Sequence, residues 1–446
     1  MGVFEEMTQD GITIKPVKHE DLLKEMRGSY RPSFMQIRLT YLFDDGFKAW
    51  DSKKLGTFLH EYIHFLQNVS TPWGLYVSMI EYQRLAETFK YIQIQNPLAE
   101  IKLPINVTTP ELDRREAIVK LGCGFYPFSP NSEYLCNAID RTKIIQWHRR
   151  PVVIGTSNFS RINLDIWFSD GTTRSIELGS HIIMESMAAM YQMMIDPEAT
   201  HDNRDLPYNL IQILCEQHYP NIADDKKKLI TICYISLFSM KPAEVLIEQL
   251  EYASNHVGMT SDELFIKFVQ ESKIKVNNGI ELSVEDFMDD IVKKFKTILI
   301  SLGIDLDYIG YVLDKVRISE RYVPLLTVIN NDNLTPEIIE ELVNFLGMPF
   351  TYDINGHNYL PDSIKDPSEK SEDVLALIHF WAVYGYSINM YNNCCCPLKF
   401  FCLKSEPIIE KDECFDFPWE GKECPITPFT DYLGLRGRKF RWDFSI

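Results

Sequence analysis

One five-residue stretch, His60-Glu61-Tyr62-Ile63-His64, constrains this chain more than any other. Residues four apart face the same way on a helix, so these two imidazoles can act together only if the segment is helical. The flanks support a helix. Asp51 or Ser52 can cap its start, and residues 53–69 contain no proline. Leu55, Phe58, Leu59, Tyr62, Ile63 and Leu66 form an apolar stripe at helical spacing. Ser70-Thr71-Pro72-Trp73-Gly74 ends the run, while residues 35–43 before it read as a strand closed by the turn Asp44-Asp45-Gly46. On such a helix, His60 and His64 can grip one metal ion, and Glu61 can serve as a general base towards a water held there. The competing reading is a surface helix with two incidental histidines.

A catalytic zinc takes three protein ligands and leaves one position open. The best third ligand is Glu185, within Leu178-Gly179-Ser180-His181-Ile182-Ile183-Met184-Glu185-Ser186-Met187-Ala188-Ala189. A lone carboxylate in so apolar a segment is costly to bury without a partner. Ala188 and Ala189 are small enough to let this helix approach the motif helix closely. An ion pair with a nearby Arg or Lys is the alternative use of Glu185, and Glu198, His201 and Asp205 are weaker alternative ligands. His181 lies one turn before Glu185 on the same face. It can donate to a developing oxyanion or hold Glu185 in place, or it can be a core histidine satisfied by a backbone carbonyl. Tyr191 and His148 are further oxyanion candidates. The methionines 184, 187, 190, 193 and 194 sit at helical spacing and read as core packing.

With these residues in place the chain resembles the zincin metallopeptidases, in their gluzincin branch. The resemblance covers the motif helix, the strand before it and the later Glu-x-x-Ala helix at 185–188. It implies a zinc ion on His60, His64 and Glu185, with Glu61 as general base. The extended metzincin form is excluded, because Phe65-Leu66-Gln67-Asn68-Val69-Ser70 supplies neither the glycine nor the third histidine. The long separation between His64 and Glu185 implies an insertion.

Composition narrows the class. A hydrophobic share of 45% suits a large core, and a net charge of −18 argues against nucleic-acid binding, which needs clustered Lys and Arg. The N-terminal residues lack a basic stretch followed by an apolar one, so no secretory signal is expected. Ten cysteines without an export route are then mostly reduced thiols, and a cytoplasmic location follows as the expectation. Residues 374–390 carry no formal charge, but at that length and with His379, Ser387 and Asn389 they read as a buried helix rather than a membrane span.

The expected fold class is α+β, predominantly α: a zincin-like core with a small sheet and a large helical C-terminal region. Residues 1–200 form the core, with an insertion near 96–150. Residues 201–390 form a helical domain, and residues 391–446 a Cys-rich segment. Within the core, residues 11–17 read as a strand, 19–26 as a helix and 75–95 as a second long helix. Residues 152–154, 161–168 and 174–178 read as strands around the turn Ser169-Asp170-Gly171-Thr172, a sheet whose edge could hold an extended peptide. Thr260 to Glu263 is a capping box, Ser283 caps a helix, and Thr335-Pro336 starts another. Cys396, Cys402, Cys414 and Cys424 could hold a second, structural zinc, although no tight Cys-x-x-Cys pair supports it. The basic stretch at 436–442 reads as a docking strand or a partner contact.

These readings converge on a zinc-dependent endopeptidase acting on a protein or peptide, with the helical region as a possible partner surface and no nucleic acid or membrane partner. The alternatives are an interaction protein retaining a zincin core, and a metal-dependent hydrolase of a non-peptide amide.

Overall fold

The computed structural model describes residues 28–41, 46–124, 138–199, 205–275, 280–304, 306–315, 334–353, 358–359, 372–387, 427, 431, 434 and 437–442. The chain opens with β1 (Gly28–Arg31) and β2 (Gln36–Leu39), then α1 (Ser52–Ser70), α2 (Pro72–Ile94), β3 (Ile101–Leu103) and α3 (Pro110–Cys123). Next come β4 (Gln146–Ile154), β5 (Ser157–Trp167), β6 (Thr173–Leu178) and α4 (Ser180–Ile195). A helical stretch follows: α5 (Leu210–His218), α6 (Lys226–Ser236), α7 (Pro242–Asn255) and α8 (Ser261–Glu271). The rest comprises β7 (Lys273–Lys275), β8 (Glu281–Ser283), α9 (Val284–Ser301), α10 (Asp307–Lys315), α11 (Pro336–Leu346), β9 (Phe350–Tyr352), β10 (Asn358–Tyr359), α12 (Glu372–Ser387) and β11 (Phe440–Trp442). The fold is α+β and predominantly α.

Local chemistry accounts for the motif helix. The Asp51 carboxylate accepts from the Lys54 amide at 2.8 Å, a cap worth about 1 kcal/mol. Every residue from Leu55 to Ser70 is buried, so α1 is a central helix rather than a surface one. It ends at Ser70, where the sequence places its end, and the next helix, expected from residue 75, begins earlier. Pro72 takes the first position of α2, where its missing N–H costs nothing, and Thr71 caps that helix through Gly74.

Helix α1 packs along α4. Gly56 lets them approach, since a Cβ there would lie 3.2 Å from Asp196 Cβ and 3.3 Å from Gln192 Cγ. Ala188 and Ala189 on α4 are wholly buried. Strands β1, β2, β9 and β10 form one sheet in that order, with β1 antiparallel to β2 and β2 parallel to β9. Strand β9 thus comes from the C-terminal region, and Tyr62 on α1 donates to the Gly347 carbonyl just before it, at 2.7 Å. One hydrophobic core runs from Phe34 to Tyr384, so packing is continuous across position 200.

Strands β4, β5 and β6 form a separate antiparallel sheet leading into α4. Strand β4 begins at Gln146, earlier than expected, within the stretch read as an insertion; that stretch also contains β3 and α3. The basic C-terminal stretch does supply a strand, β11, docked parallel to β3 of the same chain. Helix α12 is buried through Phe380 and Val383, and among the described residues no helix is long and apolar enough to cross a membrane. The Thr260–Glu263 capping box and the Ser283 and Thr335 caps are all present. The strand and helix expected at 11–17 and 19–26, and the six cysteines from 394 to 424, lie outside the described residues.

Candidate metal centre

Helical spacing brings His60 and His64 together, with ring centroids 4.9 Å apart. Helix α4 delivers Glu185 against them. Its Oε2 lies 3.3 Å from His60 Nε2 and 3.4 Å from His64 Nε2, and the two Nε2 atoms are 3.2 Å apart. Among the described residues these three form the one group of His, Cys, Asp or Glu side chains positioned to hold a metal ion.

The triangle fits a tetrahedral zinc. Bonds of about 2.0–2.1 Å at a tetrahedral angle put neighbouring ligand atoms about 3.3 Å apart. The three observed separations bracket that value. The donor set, two imidazole nitrogens and one carboxylate oxygen, is also one that zinc accepts.

The electrostatics agree with the geometry. Burial alone would lower the His64 pKa, but the facing Glu185 carboxylate overrides this and raises it from 6.5 to about 9. Burial alone would raise that of Glu185, and the two imidazoles instead hold it well below the usual carboxylate range. Without a metal, then, the pocket already demands a positive charge between carboxylate and imidazole.

Glu61 sits beside this group and is 7% exposed. Burial raises its pKa, the imidazoles of His60 and His64 pull it back, the Glu185 charge raises it, and the Tyr30 backbone N–H donates to its carboxylate. Strand β1 supplies that N–H and passes so close that a Cβ at Gly28 would lie 2.8 Å from Glu61 Cγ. Tyr30 also spans to α1 through its hydroxyl, 2.9 Å from Asn68 Oδ1.

The remaining candidates fall elsewhere. His181 is exposed in the first turn of α4 and is not part of the three-ligand group. His148 lies on β4, 3.9 Å from Asp165. Tyr191 is buried in the core. Glu198 is exposed, and Asp205 is engaged by the Ile139 amide at 2.7 Å and by Arg141. His201 lies outside the described residues. Of the α4 methionines, Met187 and Met190 are buried in the core, and Met184, Met193 and Met194 pack against it.

Four neighbours escaped the sequence reading. Gln67 sits one turn beyond His64 and its Oε1 lies 2.9 Å from His64 Nδ1. Helical spacing from His64 could have flagged it. The Tyr208 ring stands 6.0 Å from that of His60, and the β1 residues Gly28 and Tyr30 flank Glu61. No local pattern announces those contacts, because each joins segments far apart in the chain.

No protein-family model, curated protein or solved structure matches this chain. Function must therefore be argued from the site itself.

Proposed function

We propose that this chain is a zinc-dependent peptidase of gluzincin type, with His60, His64 and Glu185 holding the ion. The observation that carries the reading is the triangle of Nε2, Nε2 and Oε2 atoms at 3.2–3.4 Å with a buried carboxylate, Glu61, beside it. Bound there, zinc would supply Lewis acidity towards a water and a substrate carbonyl.

The chain's own residues would do the rest. Glu61 takes a proton from the attacking water and passes it to the leaving amine nitrogen, as general base and then general acid. Its raised pKa suits both halves of that task. The Tyr30 amide fixes the direction in which the carboxylate points. Low exposure around the histidines keeps bulk water away and strengthens every charge interaction. Strand β1, the outer strand of its sheet among the described residues, runs beside Glu61 and is a better candidate for pairing with an extended substrate than the β4–β6 sheet.

The test compares metal content and turnover in three proteins. Wild type should hold one zinc per chain, Glu185→Ala should lose it, and Glu61→Gln should keep the zinc but lose cleavage of a peptide library. Wild type without zinc, or an active Glu61→Gln, defeats the proposal. Chelation that abolishes zinc but leaves the protein without any peptide turnover to lose would favour a binding protein instead.

A further inference from the structure

Resting on the metal-site reading above, we infer that Gln67 is the positioning residue of the centre: it fixes the tautomer of His64 and pins the two ligand-bearing helices together.

Gln67 is wholly buried on α1, so its amide must find partners inside the protein. One end lies 3.1 Å from the carbonyl oxygen of Met184, the other 2.9 Å from His64 Nδ1. A carbonyl oxygen only accepts, so the amide end facing Met184 must be the NH₂. The end facing His64 is therefore the oxygen, and the proton between them must sit on Nδ1. In the neutral ring the lone pair is thereby left on Nε2, which faces His60 Nε2 and Glu185 Oε2. Each step follows from donor and acceptor inventories, and only one orientation of the amide satisfies both contacts.

The consequence is specific. With a proton held on Nδ1 by Gln67, the nitrogen able to offer a lone pair to an ion is Nε2, 3.4 Å from the carboxylate oxygen. An ion placed between them would meet both atoms, so the Gln67 amide commits His64 to ligating through Nε2. The same side chain reaches across from α1 to Met184, the residue next to Glu185. One amide thus orients the second histidine and sets the spacing to the third ligand, two tasks that metal sites usually divide between separate partners.

The experiment uses the purified full chain with Gln67→Leu and Gln67→Glu. Zinc affinity is read by competition with a chromophoric chelator, and site geometry by the visible spectrum of the cobalt-loaded protein. Gln67→Leu removes both contacts and should weaken zinc about 10–100-fold, the usual effect of losing such a partner, with an altered cobalt spectrum and unchanged far-ultraviolet circular dichroism. Gln67→Glu still accepts from Nδ1–H but loses the donor to the Met184 carbonyl, so it should recover part of the loss. Nitrogen-15 histidine spectra of the zinc-loaded wild type should place the remaining proton of His64 on Nδ1, a readout independent of whether either variant folds. Wild-type affinity in Gln67→Leu, no recovery in Gln67→Glu, or a proton-free Nδ1 overturns the assignment while leaving the metal site intact. A wild type that binds no zinc overturns both.

Discussion

Replacing Gly28 by alanine probes the proposed general base, Glu61, without touching a proposed ligand. Gly28 lies on β1, and a Cβ added there would sit 2.8 Å from Glu61 Cγ and 2.9 Å from Oε1. Ordinary contact begins at 3.4 Å, so Glu61 must retreat by about 0.6 Å, the difference between the two distances. The backbone at Gly28 is outside the left-handed region, so alanine meets no conformational penalty of its own. A displacement near 1 Å at a reacting group costs roughly 100-fold in rate, so one of this size should cost about 10-fold, equivalent to about 1.4 kcal/mol in the barrier. The assay pairs steady-state cleavage of a quenched-fluorescent peptide library with zinc content. Turnover should fall about 10-fold while zinc stays at the wild-type ratio. Gly258→Ala, at an exposed position with nothing within 4 Å, is the control and should change neither. Gly28→Ala with full turnover would refute the role of Glu61 or the importance of its placement. Loss of zinc in that variant would mean that β1 supports the ligands rather than the base.

Other outcomes follow from the same geometry. In the zinc-free protein, the raised His64 pKa contributes stability that is fully present below pH 6.5 and is lost as pH rises through about 9. The contribution is about 3 kcal/mol, so urea midpoints measured in chelator should fall across that window, and Glu185→Gln should flatten the fall. Zinc must displace the same proton, so apparent zinc affinity should climb about tenfold per pH unit up to about pH 9, with close to one proton released at pH 7 by calorimetry in buffers of differing ionisation heat. Tyr62→Phe leaves the buried Gly347 carbonyl without its 2.7 Å donor and should cost about 1–3 kcal/mol in denaturant unfolding, with zinc content unchanged.

Much of this site was legible in the sequence because its logic is local. His60, Glu61 and His64 are related by one helical turn, and a proline-free apolar stripe with a capping aspartate is enough to predict that turn. The caps at Thr260, Ser283 and Thr335 were readable for the same reason. Glu185 was legible in a weaker sense. A carboxylate in an apolar helix demands a partner, and the small Ala188 and Ala189 let that helix come close to the histidines, although an Arg or Lys partner was an equally legible use. The start of the second helix was placed three residues late, because a proline that ends one helix can equally begin the next. The early start of β4 was hidden by Arg149, Arg150 and Pro151, which break the expected alternation of an exposed edge strand.

What the sequence determined by itself was the chemistry on offer: two imidazoles on one face, a carboxylate beside them, and a second carboxylate that could not stay buried alone. The tertiary structure decided which of these atoms meet. Only the close packing of α1 on α4 at Gly56 brings Oε2 of Glu185 within 3.4 Å of both Nε2 atoms, and only that packing places the Gln67 amide between His64 and Met184. The Tyr30 amide reaches Glu61 because β1 passes alongside α1, in a sheet completed by β9 from far along the chain. Helical periodicity is a property of neighbouring residues and can be read from one segment. The distance between two segments is set by how both pack into a shared core, and no single segment contains that information.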